Sequence, residues 1–89
     1  MIRAHMDLTK SDQLLATLTW HKIDEGGKML DIGYDWAVDI DEDLKARIID
    51  VCSRPITVPN GKAFPGSSKH FEALPKHLER LGCRVRSYY

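Results

Sequence analysis

The sequence predicts one small α+β domain, in which two helices pack on one face of a mostly antiparallel sheet. Three observations lead to this prediction. The chain has 89 residues, the length of a single domain. Residues 28–40 alternate apolar and polar side chains as a strand does, whereas two later segments have the apolar spacing of helices. The predicted order of elements is β-β-α-(β-β)-α-β.

The predicted sheet begins with a hairpin. Residues 1–13 are polar and weakly patterned, so we expect a flexible N-terminal arm before a domain that spans residues 14–89. Residues 14–23 alternate as a strand, and a second strand at 28–40 follows the paired glycines Gly26-Gly27, which suit a tight turn. In the second strand, the residues predicted to anchor the core are Ile32, Tyr34, Trp36, Val38 and Ile40.

The first helix is expected directly after this strand. Asp41 can cap the helix N-terminus, and Pro55 disfavours helical geometry at the residue before it, so the helix should end near Ser53. The apolar stripe that predicts the helix consists of Leu44, Ile48, Val51 and Cys52.

The last third of the chain is predicted to contain a short hairpin, a helix and a strand. Residues 56–64 form the hairpin, with its turn at Asn60-Gly61. Pro75 either kinks the second helix or begins a separate one, and Gly82 ends it. Residues 83–89 alternate as the final strand. The apolar stripe of the second helix consists of Phe71, Leu74, Leu78 and Leu81.

Composition restricts the compartment and the chemistry. The two cysteines, Cys52 and Cys83, lack CxxC spacing, which predicts buried free thiols in a cytoplasmic protein. No apolar run approaches the roughly 20 residues of a membrane helix, so we expect no membrane association, and no N-terminal apolar stretch has signal-peptide length, so we expect no secretion by that route. No motif indicates a cofactor or a metal. The formal net charge is zero, but residues 1–45 carry a net −5 and residues 46–89 a net +5.

One candidate surface is acidic. Asp31, Asp35 and Asp39 recur at a spacing of four, so on one strand they share a face and lie about 13 Å apart. That distance is too long for a single ion or a pair of catalytic carboxylates. The row therefore predicts either a solvated strand face or an acidic interaction face for a basic partner.

A second candidate surface is basic. The C-terminal third could bind a nucleic acid or another anion, or it could simply be the solvated face of the second helix. Its candidate residues are Lys69, His70, Lys76, Arg80, Arg84 and Arg86.

These surfaces favour a non-enzymatic module that binds a protein partner through the acidic face or an exposed sheet edge. Nucleic-acid binding through the basic surface is the alternative, and a homodimer is compatible with edge strands and the terminal Tyr88-Tyr89. No catalytic motif is present. An enzyme would require acid–base chemistry at His21, His70 or His77, which ranks below both binding functions.

Overall fold

The computed structural model describes residues 2–21 and 32–88. Four strands form an antiparallel sheet in the order β3-β2-β1-β6, and β4 and β5 form a separate two-stranded sheet. Together with two helices, these strands confirm the small α+β domain. The elements are β1 (Ile2–Lys10), β2 (Gln13–His21), β3 (Gly33–Trp36), α1 (Glu42–Ser53), β4 (Ile56–Val58), β5 (Gly61–Ala63), α2 (Ser68–Glu79) and β6 (Arg84–Tyr88).

Strand β1 replaces the predicted N-terminal arm, so that prediction was wrong. The strand pairs with β2 on one side and with β6 on the other, which places it in the interior of the sheet. Met6 and Leu8 are fully buried, whereas Asp7 between them is only partly buried. This is the alternation of a strand with one covered face, but two apolar residues among polar ones are a weak signal.

A two-residue turn at Ser11-Asp12 joins β1 to β2. Both residues have positive φ, 52° and 63°, and the flanking Lys10 and Gln13 pair across the strands. A hairpin turn with two positive φ angles twists in the same sense as the strands that it joins, which favours this geometry despite the cost for residues with a Cβ.

The core lies between the inner face of the four-stranded sheet and the two helices. Met6 and Leu8 from β1 face Leu18 and Ala16 of β2, and all four side chains are fully buried. Helix side chains complete the cluster, and Trp20 of β2 stacks on Phe71 of α2 with ring centroids 6.0 Å apart. The predicted helix stripes supply this layer: the buried helix residues include Ile48, Val51, Cys52, Phe71, Leu74 and Leu78.

Strand β3 ends earlier than the predicted strand at 28–40, whose first residues, 28–31, lie outside the described part of the chain. Its antiparallel pairing with β2 confirms that the two segments are neighbours, whereas the predicted turn at 24–27 lies outside the described residues. The strand ends at Trp36, and the Ile40 amide then bonds to the Ala37 carbonyl at 3.2 Å in a turn. Val38 lies in this turn and is fully exposed, so its predicted place in the core was wrong. Partly buried side chains that do pack on the core include Ile32, Tyr34, Trp36 and Ile40.

Helix α1 begins and ends where the sequence predicts. The Leu44 amide donates a hydrogen bond of 2.9 Å to the Asp41 carboxylate, which is therefore the N-cap. Helix α2 is capped by Ser67 in the same way and continues through Pro75, so Pro75 does not begin a separate helix. Gly82 follows α2 with φ of 92°, a conformation that glycine adopts without strain.

The β4–β5 hairpin turns one residue earlier than predicted. Val58 pairs with Gly61, so the connecting residues are Pro59-Asn60 rather than Asn60-Gly61. The fixed φ of proline suits the first corner position of a turn, which explains the shift. Phe64 consequently lies beyond β5 and is 60% exposed.

Replacing the β1–β2 turn by Asn-Gly should stabilise the protein. Asparagine and glycine tolerate two successive positive φ angles, so the S11N/D12G variant should gain up to about 1 kcal/mol in the free energy of unfolding. Urea denaturation measures the gain. Asp35→Gly is the control, because glycine within β3 should lower stability; a loss of stability in S11N/D12G would contradict the turn geometry.

Truncation of Leu8 tests whether β1 is an interior strand or a flexible arm. Leu8→Ala should cost about 2–5 kcal/mol because it opens a cavity in the core. Val38→Ala should change stability by less than about 0.5 kcal/mol, because Val38 is fully exposed. Equal, small effects in thermal or urea denaturation would contradict the position of β1.

Candidate functional site

The four-stranded sheet has one face covered by helices and one face that no described helix covers. We call the second the outer face. Its side chains alternate along each strand with those of the buried inner face. It carries Gly33 and Asp35 from β3, Thr17 and Thr19 from β2, His5, Asp7 and Thr9 from β1, and Arg84, Arg86 and Tyr88 from β6.

Charges of both signs meet on the outer face. Asp7 pairs in register with Arg86 on one side and with Thr17 on the other, and the Thr17 hydroxyl donates a hydrogen bond of 3.0 Å to the Asp7 carboxylate. Asp35 continues the same row on β3. Acidic residues from the first half of the sequence and basic residues from the second half are therefore neighbours in this sheet.

An aromatic pair lies at the β1–β6 end of the outer face. The rings of His5 and Tyr88 stack with centroids 4.6 Å apart and planes 17° apart. The two residues are directly opposite each other in the sheet, where close cross-strand pairs stabilise the register. Tyr88 remains 39% exposed, so its ring also forms part of the accessible surface.

The predicted acidic residues do not form one strand face. Asp35 lies on β3 and is exposed, but β3 ends at Trp36 and the exposed Asp39 lies in the following turn. The alternation of side chains within a strand therefore does not extend to Asp39. Asp31 lies outside the described residues. Partner binding by these carboxylates stays a prediction.

The predicted basic residues are divided between two layers. Arg84 and Arg86 lie on the outer face of the sheet. Lys69, His70 and Lys76 belong to α2 and Arg80 caps its C-terminus, on the other side of the sheet, and of these four Lys69, Lys76 and Arg80 are exposed. The sequence pattern therefore does not correspond to one continuous basic surface.

His70 was wrongly placed on the basic surface. Its side chain is 1% exposed, and Nε2 lies 2.7 Å from the Arg54 carbonyl oxygen. The carbonyl can only accept, so Nε2 carries the proton and donates it. Nδ1 is buried and has no hydrogen-bond partner among the described residues. His70 thus links α2 to the residue that ends α1.

Among the described residues, neither cysteine is an activated thiol and no cluster of metal-ligating side chains forms. Burial raises the pKa of the Cys52 thiol to about 11, although a hydrogen bond with Tyr34 opposes the rise. Burial also raises the pKa of Cys83, so neither thiol is activated as a nucleophile. Within residues 2–21 and 32–88, no group of three or more His, Cys, Asp or Glu side chains could hold a metal ion.

Strand β6 is an edge of the four-stranded sheet, and a groove follows it. The strand pairs with β1 on one side, and the other side, which we call the β6 edge, has no partner among the described strands. Thr9, Arg84 and Arg86 line the groove together with three carboxylates, those of Asp7, Asp12 and Glu79. Neither arginine forms an ion pair with a described residue.

Comparison of the chain with protein-family models, with curated proteins and with solved structures found no match in any of the three. In the part of the chain that the structure describes, neither helix has the length and apolar character needed to cross a bilayer.

His77 should make folding stability depend on pH. Burial, followed by the charges of Arg80, His70 and Arg54, lowers its pKa from the ordinary 6.5. The folded state then binds a proton less readily than the unfolded state, so this contribution to stability falls as the pH falls below 6.5. Urea midpoints measured between about pH 5 and pH 8 should rise with pH more steeply for the wild type than for His77→Gln. Parallel profiles would contradict the lowered pKa.

Proposed function

We propose that this protein is a non-enzymatic protein-binding module that adds an extended segment of a partner to the β6 edge. The observation that carries the proposal is an edge strand of five residues whose free side has no partner among the described strands, with two arginines that form no ion pair with a described residue. An edge strand presents a row of free amide and carbonyl groups, and such a row binds peptides by strand addition.

The arginines define the chemistry of the partner. Arg84 and Arg86 point to the same face of β6, so they meet residues two apart on an added strand. Opposite charges on directly facing residues stabilise a strand pair, and like charges destabilise it. The proposed partner segment therefore carries Asp or Glu at alternate positions, and Tyr88 offers it an exposed aromatic ring at one end.

The same arginines disfavour a second copy of this chain at the β6 edge. In a symmetric antiparallel dimer, the register that pairs all five β6 residues places Arg86 opposite Arg86 of the other copy. This repulsion protects the edge from self-association while leaving it open to an acidic strand. We therefore favour a different protein as partner over a homodimer.

The proposed compartment is the cytoplasm. Cys52 and Cys83 are both free and buried, and buried free thiols suit a reducing environment.

The test uses two extended peptides, one with glutamate at alternate positions and one with lysine at the same positions. The glutamate peptide should shift and protect the amide protons of β6 in NMR spectra. R84E/R86E should reverse the preference and weaken the glutamate peptide about tenfold. R47E/K62E changes charge by the same amount on α1 and β5 and should leave binding unchanged. Protection confined to another element, or equal binding of both peptides to the wild type, would contradict the proposal.

A further inference from the structure

A second groove lies in the helix layer, where the end of α1, strand β4 and the end of α2 meet. We call it the basic groove and define it by Val51, Arg54, Ile56, Thr57, His77 and Arg80. Val51 and Ile56 are buried and form its apolar floor. The polar groups along its sides are two guanidiniums, an imidazole and a hydroxyl, and none of the described residues that line it has a carboxylate.

The fold holds these groups in place through backbone geometry. His77 and Arg80 are three residues apart at the end of α2, so they project from one side of the helix. Arg54 ends α1, and its carbonyl accepts the 2.7 Å hydrogen bond from the buried His70 of α2. This bond fixes the end of α1 against α2 and thereby brings Arg54 to the same groove as His77 and Arg80.

The Arg54 guanidinium is available to a ligand. It pairs with Asp50 at 3.0 Å, but both side chains are more than 60% exposed, so the pair contributes little and can be exchanged. Arg80 forms no ion pair with a described residue. The positive charges of Arg80 and Arg54 act on His77, and both lower the pKa of its imidazole.

We propose that the basic groove binds a tetrahedral oxyanion of the phosphate class, with Arg54 and Arg80 as its charged ligands and His77 and Thr57 as hydrogen-bond donors. Guanidinium groups match the oxygens of such an anion in geometry and charge. Binding does not depend on the β6 edge, which lies on another part of the domain.

A bound dianion should reverse the electrostatics of His77. After burial, the ionisable groups that lower the pKa of His77 are Arg80, His70 and Arg54, and Arg54 also pairs with Asp50. Without ligand, the cations disfavour protonation of the imidazole. A dianion in the groove favours the protonated form, so binding takes up a proton and strengthens as the pH falls.

Sulfate is the first probe, because it remains a dianion throughout the pH range and so isolates the titration of His77; inorganic phosphate is the second. Both are titrated by NMR at constant ionic strength, with chloride as the balancing salt. We expect saturable shifts confined to the basic groove, and a rise in the pKa of His77 when sulfate is bound. Arg80→Gln should weaken binding about tenfold, the loss of one charge-assisted contact.

Arg47→Gln is the matched control. Arg47 lies on α1, pairs with Asp43 of that helix at 3.1 Å and does not line the groove. It should bind sulfate as the wild type does. His77→Gln should retain binding at high pH and lose the strengthening at low pH. Shifts that chloride reproduces, that do not saturate, or that persist unchanged in Arg80→Gln would overturn the proposal.

Discussion

The antiparallel pairing of β1 with both β2 and β6 is the interaction on which the rest of the structure depends. It places Met6 and Leu8 at the centre of the inner face, where they lie beside Leu18 and Ala16 and form part of the core on which the helices pack. The same pairing brings the acidic and basic halves of the sequence into one sheet. Without β1, strand β6 would have no neighbour among the described strands and its arginines would have no fixed position.

The two proposed sites arise from the two layers of the domain. Covering one face of the sheet leaves the other face and its β6 edge accessible, so backbone groups and two arginines are presented together. In the helix layer, the bond from His70 to the Arg54 carbonyl fixes where two helices end, and side chains from both ends line the basic groove. The proposed site at the β6 edge thus depends on backbone groups that no described strand pairs with. The proposed site in the basic groove depends on two helix ends that lie close together.

Local patterns predicted the helices well because their caps and apolar stripes are short-range signals. Asp41 caps α1 and Gly82 follows α2 as expected. Strand β1 was missed because Met6 and Leu8 stand among polar residues, and burial on the inner face comes from partners distant in sequence. Val38 was wrongly predicted to lie in the core, because apolar residues at alternate positions do not indicate where a strand ends.

For the site, composition identified Arg80, Arg84 and Arg86 as basic, but their division between two layers depends on topology. The partnership of His70 with Arg54 had no sequence signal, since a buried and an exposed histidine look alike in one sequence.

The position of β6 has a kinetic consequence. Its partner β1 is the earliest described strand and β6 the latest. Their pairing therefore closes a loop that contains most of the residues of the chain. Contacts of such high sequence separation form slowly. During synthesis, β1 can pair with β2 as soon as both have left the ribosome, but its other side waits unpaired until the last strand emerges. Throughout that interval the nascent chain exposes the free edge of β1, and an exposed strand edge can act as a template for aggregation.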